Sequence, residues 1–138
     1  MNHAAGTDMA HLPFGLELVR RKKLAGLGFH YGIRVWPSRF SSFVVDFQSD
    51  SRRRTLPEAE FACGRLVETC WGTTDPRQIA QSIQRVSDGV AGPFNIVKNN
   101  CEHFARRSLF GIDKSDQIVG LTVCAAAILV IALVARIQ

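Results

Sequence analysis

The chain has 138 residues, with 17 Lys and Arg against 12 Asp and Glu and a formal charge of +5; its pI is about 9.4. That length suits one compact domain. The basic balance does not point to nucleic acid: there is no zinc-finger spacing or RNA-binding motif, and the aromatics alternate in apolar segments rather than among lysines.

The four cysteines include no Cys-x-x-Cys pair, which argues against a metal site or a thioredoxin-like centre. The N-terminal stretch MNHAAGTDMAHLPFG lacks the basic start and apolar run of a secretory signal, so a disulfide framework is not expected either. No cofactor is expected. Cys63 and Cys70 read as small, partly buried side chains.

The pattern along the chain is α+β, a small antiparallel sheet packed with helices. Residues 1–12 form a weakly patterned tail that places His3 and His11 in solvent. Gly15–Val19 reads as a strand, with Arg20-Arg21-Lys22-Lys23 as a basic turn after it. Phe29–Val35 alternates with period two, so Phe29, Tyr31, Ile33 and Val35 share one face and His30, Gly32 and Arg34 the other. Phe43–Phe47 is the next strand, with Pro37-Ser38-Arg39 central to the turn between them. A hairpin symmetric about Ser38 sets His30 directly opposite Asp46, near enough for a carboxylate to reach an imidazole nitrogen. A slip of one residue would separate them.

Farther on, Thr55-Leu56-Pro57-Glu58 has the spacing of a capping box and opens a short helix through Cys63. Arg65–Thr69 reads as a third strand. Asp75-Pro76 starts a helix with Ile79, Ile83, Val86 and Val90 at helical spacing and Gly89 near its end. Phe94–Val97 is a brief extended run.

Asn99-Asn100-Cys101-Glu102-His103-Phe104 then places a cysteine where a loop becomes a helix that Gly111 stops. Asn is a favoured N-cap, and Glu102 suits the positive end of a helix. A thiol on a first turn sits beside unpaired backbone N–H groups, which favour thiolate and would hold an oxyanion on a bound carbonyl. Cys101 is therefore a candidate nucleophile. It needs a base, and the base gains from a third group that orients it. His103 follows too closely: two residues along a helix is a rotation of about 200°. His30 is the better base, since Gly32 beside it leaves room for an approaching helix terminus.

The last segment, Ile118–Ala135, carries no charge. As a helix it spans about 27 Å, close to the hydrocarbon thickness of a bilayer. A domain this small has little room to bury such a helix on every face, which favours a transmembrane anchor over a core helix. Arg106, Arg107 and Lys114 precede it and Arg136 alone follows, an asymmetry that puts the main domain in the cytoplasm.

Asn100-Cys101-Glu102-His103-Phe104 resembles the signature of the lecithin:retinol acyltransferase (LRAT)-like proteins, relatives of the NlpC/P60 cysteine peptidases. His30-Tyr31-Gly32-Ile33 resembles that family's histidine strand, lying before the cysteine as the circularly permuted order requires. The resemblance continues through Leu56–Phe61 and the Asp75–Gly89 helix and covers residues 13–117. It implies a papain-like α+β fold and thiol acyl chemistry on phospholipid, as acyltransferase or phospholipase A. By this analogy Cys101 attacks a lipid ester and His30 takes the thiol proton. A thioester then passes its acyl chain to water, an amine or an alcohol.

One position departs from the family pattern. Many members carry a second histidine in the following strand, where this chain has Val44-Val45-Asp46. A carboxylate can orient an imidazole and stabilise its protonated form, so Asp46 fits the third role; as a surface residue it would leave the triad incomplete.

Three classes follow. The first is a membrane-anchored lipid acyltransferase or hydrolase, the second a cysteine peptidase or amidase of NlpC/P60 type. The third is a non-enzymatic membrane protein that keeps the fold for interaction. The expected partners are a membrane and an acyl lipid, not nucleic acid. Arg20–Lys23 and Arg52–Arg54 read either as solvated loops or as contacts to anionic head groups.

Overall fold

Extended alternation does not stop at Val19, and the first strand runs through the basic residues to Lys22. The computed structural model describes residues 12–50, 52–87 and 100–112, together with Ala126. Its elements are β1 (Gly15–Lys22), β2 (Phe29–Ser38), β3 (Ser41–Phe47), β4 (Arg53–Leu56), α1 (Glu58–Ala62), β5 (Glu68–Thr73), α2 (Pro76–Ser87) and α3 (Cys101–Phe110). The strands form one five-stranded sheet in the order β4-β3-β2-β1-β5, antiparallel throughout. This is an α+β fold.

Period-two alternation gives the sheet two different faces. Leu16, Leu18, Tyr31, Ile33 and Phe47 point to one, where Ile79 of α2 and Phe104, Ala105 and Leu109 of α3 complete the larger core. Val19, Val44 and Leu56 point to the other, where Phe61 of α1 covers them. Phe47, Phe61, Phe104 and Ile79 are almost fully enclosed. Each such side chain contributes about 1.5–3 kcal/mol relative to exposure. α3 is the central packing element, touching α2 and strands β1, β2 and β3.

The β2–β3 register differs from a hairpin centred on Ser38. Gly32, not His30, stands opposite Asp46, followed by Ile33–Val45, Arg34–Val44 and Val35–Phe43. The turn lies at Arg39-Phe40, and a bulge sets Trp36 and Pro37 against Ser42 alone. Pro37 has no N–H to give the ladder, which is why the irregularity falls there. The displacement is two residues, so every side chain keeps its expected face.

Other boundaries move for local reasons. Thr55 belongs to β4 rather than to a capping box; the N-cap of α1 is Pro57, with no side-chain cap bond. α1 closes at Cys63 in the left-handed region (φ 47°). The third expected strand begins at Glu68 instead of Arg65, because Arg20 pairs with Glu68 and the chain before it is still turning out of α1. Asp75 starts α2 as expected, its Oδ1 accepting from the Arg77 N–H at 2.9 Å.

Cys63 and Cys70 are exposed rather than partly buried. His3, His11, Gly89, Val90, the run at Phe94–Val97 and the anchor at 118–135 lie outside the described residues, save Ala126. Among the described residues, no helix is long and apolar enough to cross a membrane.

Candidate active site

Asn100 builds the start of α3. Its backbone is extended, and its Oδ1 accepts from the N–H groups of Glu102 (2.9 Å) and His103 (3.0 Å). The Phe104 N–H reaches the Asn100 carbonyl at 3.0 Å. This cap fixes the helix entry and hence Cys101, but it uses first-turn amides that the sequence alone would leave to the thiol. The Cys101 environment is supplied from β2 instead. The β2–β3 ladder ends at Gly32–Asp46, and the Tyr31 N–H beyond it helps to lower the Cys101 thiol.

His30, next to Tyr31, lies close enough to Cys101 for its imidazole to draw the thiol down. Its Nε2 lies 2.8 Å from Asp46 Oδ2. A carboxylate only accepts, so Nε2 carries the proton in that bond. Although Asp46 stands opposite Gly32, His30 is its diagonal neighbour on the same face, within reach of a long side chain. Both lie on the Phe61 side, where the Phe61 ring sits 5.5 Å from the imidazole.

Asp46 is 1% exposed. A carboxylate so buried needs its lone pairs occupied, and two residues not anticipated from sequence help to do this. Gln48 Nε2 donates to Asp46 Oδ2 and lies 3.2 Å from His30 Nε2. Arg54 approaches both carboxylate oxygens at 3.4 Å. Position two after a candidate acid, just past the end of β3, was a usable signal for Gln48. Arg54 depended on the β3–β4 register, which pairs it with Asp46.

The electrostatics of the three groups converge. Burial alone would push the Cys101 thiol up, but the His30 hydrogen bond and charge, with the Tyr31 N–H and Lys23, bring it below its ordinary value. Burial would lower His30, yet Asp46 and Cys101 hold it above its ordinary value. Burial would raise Asp46, and His30 and Arg54 outweigh that to lower it. All three shifts run toward a thiolate–imidazolium pair backed by a carboxylate. Cys70 goes the other way: desolvation pushes its thiol up.

The expected space beside Gly32 is used differently. A Cβ there would meet Val44 Cγ1 at 2.6 Å and Phe61 Cε2 at 3.0 Å, so the glycine admits α1 and its own neighbour rather than the α3 terminus. His103 is buried in α3 with Nδ1 lacking a hydrogen-bond partner among the described residues. Among those residues no cluster of His, Cys, Asp and Glu has metal-binding geometry. No protein-family model matches this chain, and no curated protein or solved structure matches it either.

Proposed function

We propose that the chain is a membrane-anchored thiol acyltransferase or phospholipase A-type enzyme, with the circularly permuted papain-like arrangement of the LRAT-like and NlpC/P60 proteins. The observation that carries this reading is the Cys101–His30–Asp46 constellation, assembled from α3, β2 and β3. Cys101 Sγ attacks the carbonyl carbon of an acyl ester while the imidazole holds the thiol proton. The backbone N–H of Cys101, on the first turn of α3, would receive the oxyanion. The ester C–O bond breaks, His30 gives its proton to the departing lysolipid oxygen, and a thioester remains. Water, an alcohol or an amine then attacks, His30 takes its proton, and the thiolate leaves with the acyl chain transferred.

The same three groups would serve an amide. The charge-free segment Ile118–Ala135 favours a lipid ester, since it would hold the domain at a bilayer on its cytoplasmic side. Incubation of the protein with acyl-labelled phospholipid, followed by mass spectrometry of the Cys101 peptide, tests the reading. A thioester-linked acyl group absent from Cys101→Ala is expected. A Cys101 that carries no acyl group and resists alkylation refutes it.

A further inference from the structure

The β1–β2 connection projects apolar side chains from the end of the sheet that carries His30. Lys23–Gly28 is a tight loop closed by the Lys23 N–H on the Gly28 carbonyl at 3.2 Å. Gly26 and Gly28 take φ of 79° and 92°, a conformation that suits glycine alone. The loop turns Leu24 and Leu27 outward, 57% and 94% exposed. Leu66, 79% exposed, leads into β5 at the same end, because β5 runs antiparallel to β1 from the Arg20–Glu68 pair.

The charges left unpaired around this tip are positive. Arg20 is occupied by Glu68 at 2.8 Å, and Arg21 by the Phe61 carbonyl. Lys22 and Lys23 have no ion-pair partner among the described residues. Two leucines on a protruding turn, with unpaired lysines at its base, match the layering of an anionic bilayer: hydrocarbon inside, phosphate at the surface. A flat protein interface would instead ask for a broad patch with polar complements at its centre.

We propose that the Leu24–Leu27 tip inserts into an anionic lipid surface, with Lys22 and Lys23 at head-group level. The hairpin leads directly into Phe29 and His30, so this docking sets Cys101 at the depth of a lipid ester. The purpose of the docking rests on the lipid-directed reading of Cys101; its geometry does not.

The test uses the full chain reconstituted in vesicles. A Leu27→Trp variant, read against the wild-type signal of Trp36 and Trp71, gains a blue-shifted component in phosphatidylserine-containing vesicles. Acyl-chain-brominated lipid quenches it, less so in neutral vesicles or high salt. An emission that is neither shifted nor quenched overturns the proposal, as does a shift indifferent to brominated lipid, which assigns the tip to a protein contact. Leu24→Ser with Leu27→Ser should lower turnover of vesicle phospholipid about tenfold or more, with the rate of Cys101 alkylation by iodoacetamide unchanged. A parallel fall in alkylation makes the hairpin a support of the site and also overturns the proposal. Quenching by an enzyme whose Cys101 proves inert leaves docking standing and removes only the acyl-transfer reading.

Discussion

Replacing Asp46 by asparagine removes a charge while keeping the shape, and the surroundings dictate how the amide settles. The Oδ2 position receives His30, Gln48 and, at 3.4 Å, Arg54 Nη2 as donors, whereas among the described residues Oδ1 meets Arg54 Nε alone, at 3.4 Å. In Asp46→Asn the amide oxygen will therefore face His30 and Gln48, and the NH2 group will displace the half-exposed Arg54, which can swing into solvent. The imidazole keeps its proton on Nε2. What is lost is the charge assistance of one hydrogen bond, about half of the 1.5–3 kcal/mol that such a bond contributes, or a fall of roughly three- to tenfold in kcat/KM. Asp46→Ala also removes the orienting contact and should cost about 10²–10⁴-fold.

The pH profile of Cys101 alkylation by iodoacetamide gives an independent reading. Asp46 raises His30, and protonated His30 lowers Cys101. Alkylation follows the thiolate, so without the carboxylate the imidazolium is less well held and the acid limb of the profile moves up in pH. That limb belongs to the pair rather than to either residue. Unchanged kinetics with an unchanged profile in both variants would refute the orienting role of Asp46. Far-UV circular dichroism should remain that of the wild type.

Three further outcomes follow from the same geometry. Asn100→Ala removes the acceptor for two first-turn amides and should lower stability by about 1 kcal/mol in urea denaturation, within the range of 0.5–2 for lost caps. Gly32→Ala drives a Cβ into Val44 and Phe61; overpacking of this kind costs about 1–3 kcal/mol, visible as a lower urea midpoint, and it should also perturb His30 through Phe61. His30 is raised in the folded state, so its contribution to stability is fully present below the ordinary histidine pKa. It is lost as pH rises through the folded value. Denaturation of wild type and His30→Gln from pH 5 to 9 should show their stability difference shrinking with rising pH.

What could be read from the chain alone was whatever depends on neighbours in sequence. The Asn100 cap, the start of α3 at Cys101 and its stop at Gly111 are local chemistry. Alternation along β2 and β3 put His30 and Asp46 on one face, and that parity survives any shift of two. Pairing distance is another matter. It depends on where the turn sits and on the bulge at Trp36-Pro37, which no pattern of polar and apolar residues reports.

Tertiary packing decided the rest. It brought β4 beside β3, and so Arg54 to Asp46. It seated α1 against Gly32 and spent the Glu102 and His103 amides on the Asn100 cap. Cys101 draws instead on His30 and the Tyr31 N–H. The motif around Cys101 thus marked the nucleophile because a helix start is a local event. The groups that lower its thiol came from strands far away in sequence, because only the folded sheet brings them within hydrogen-bond reach.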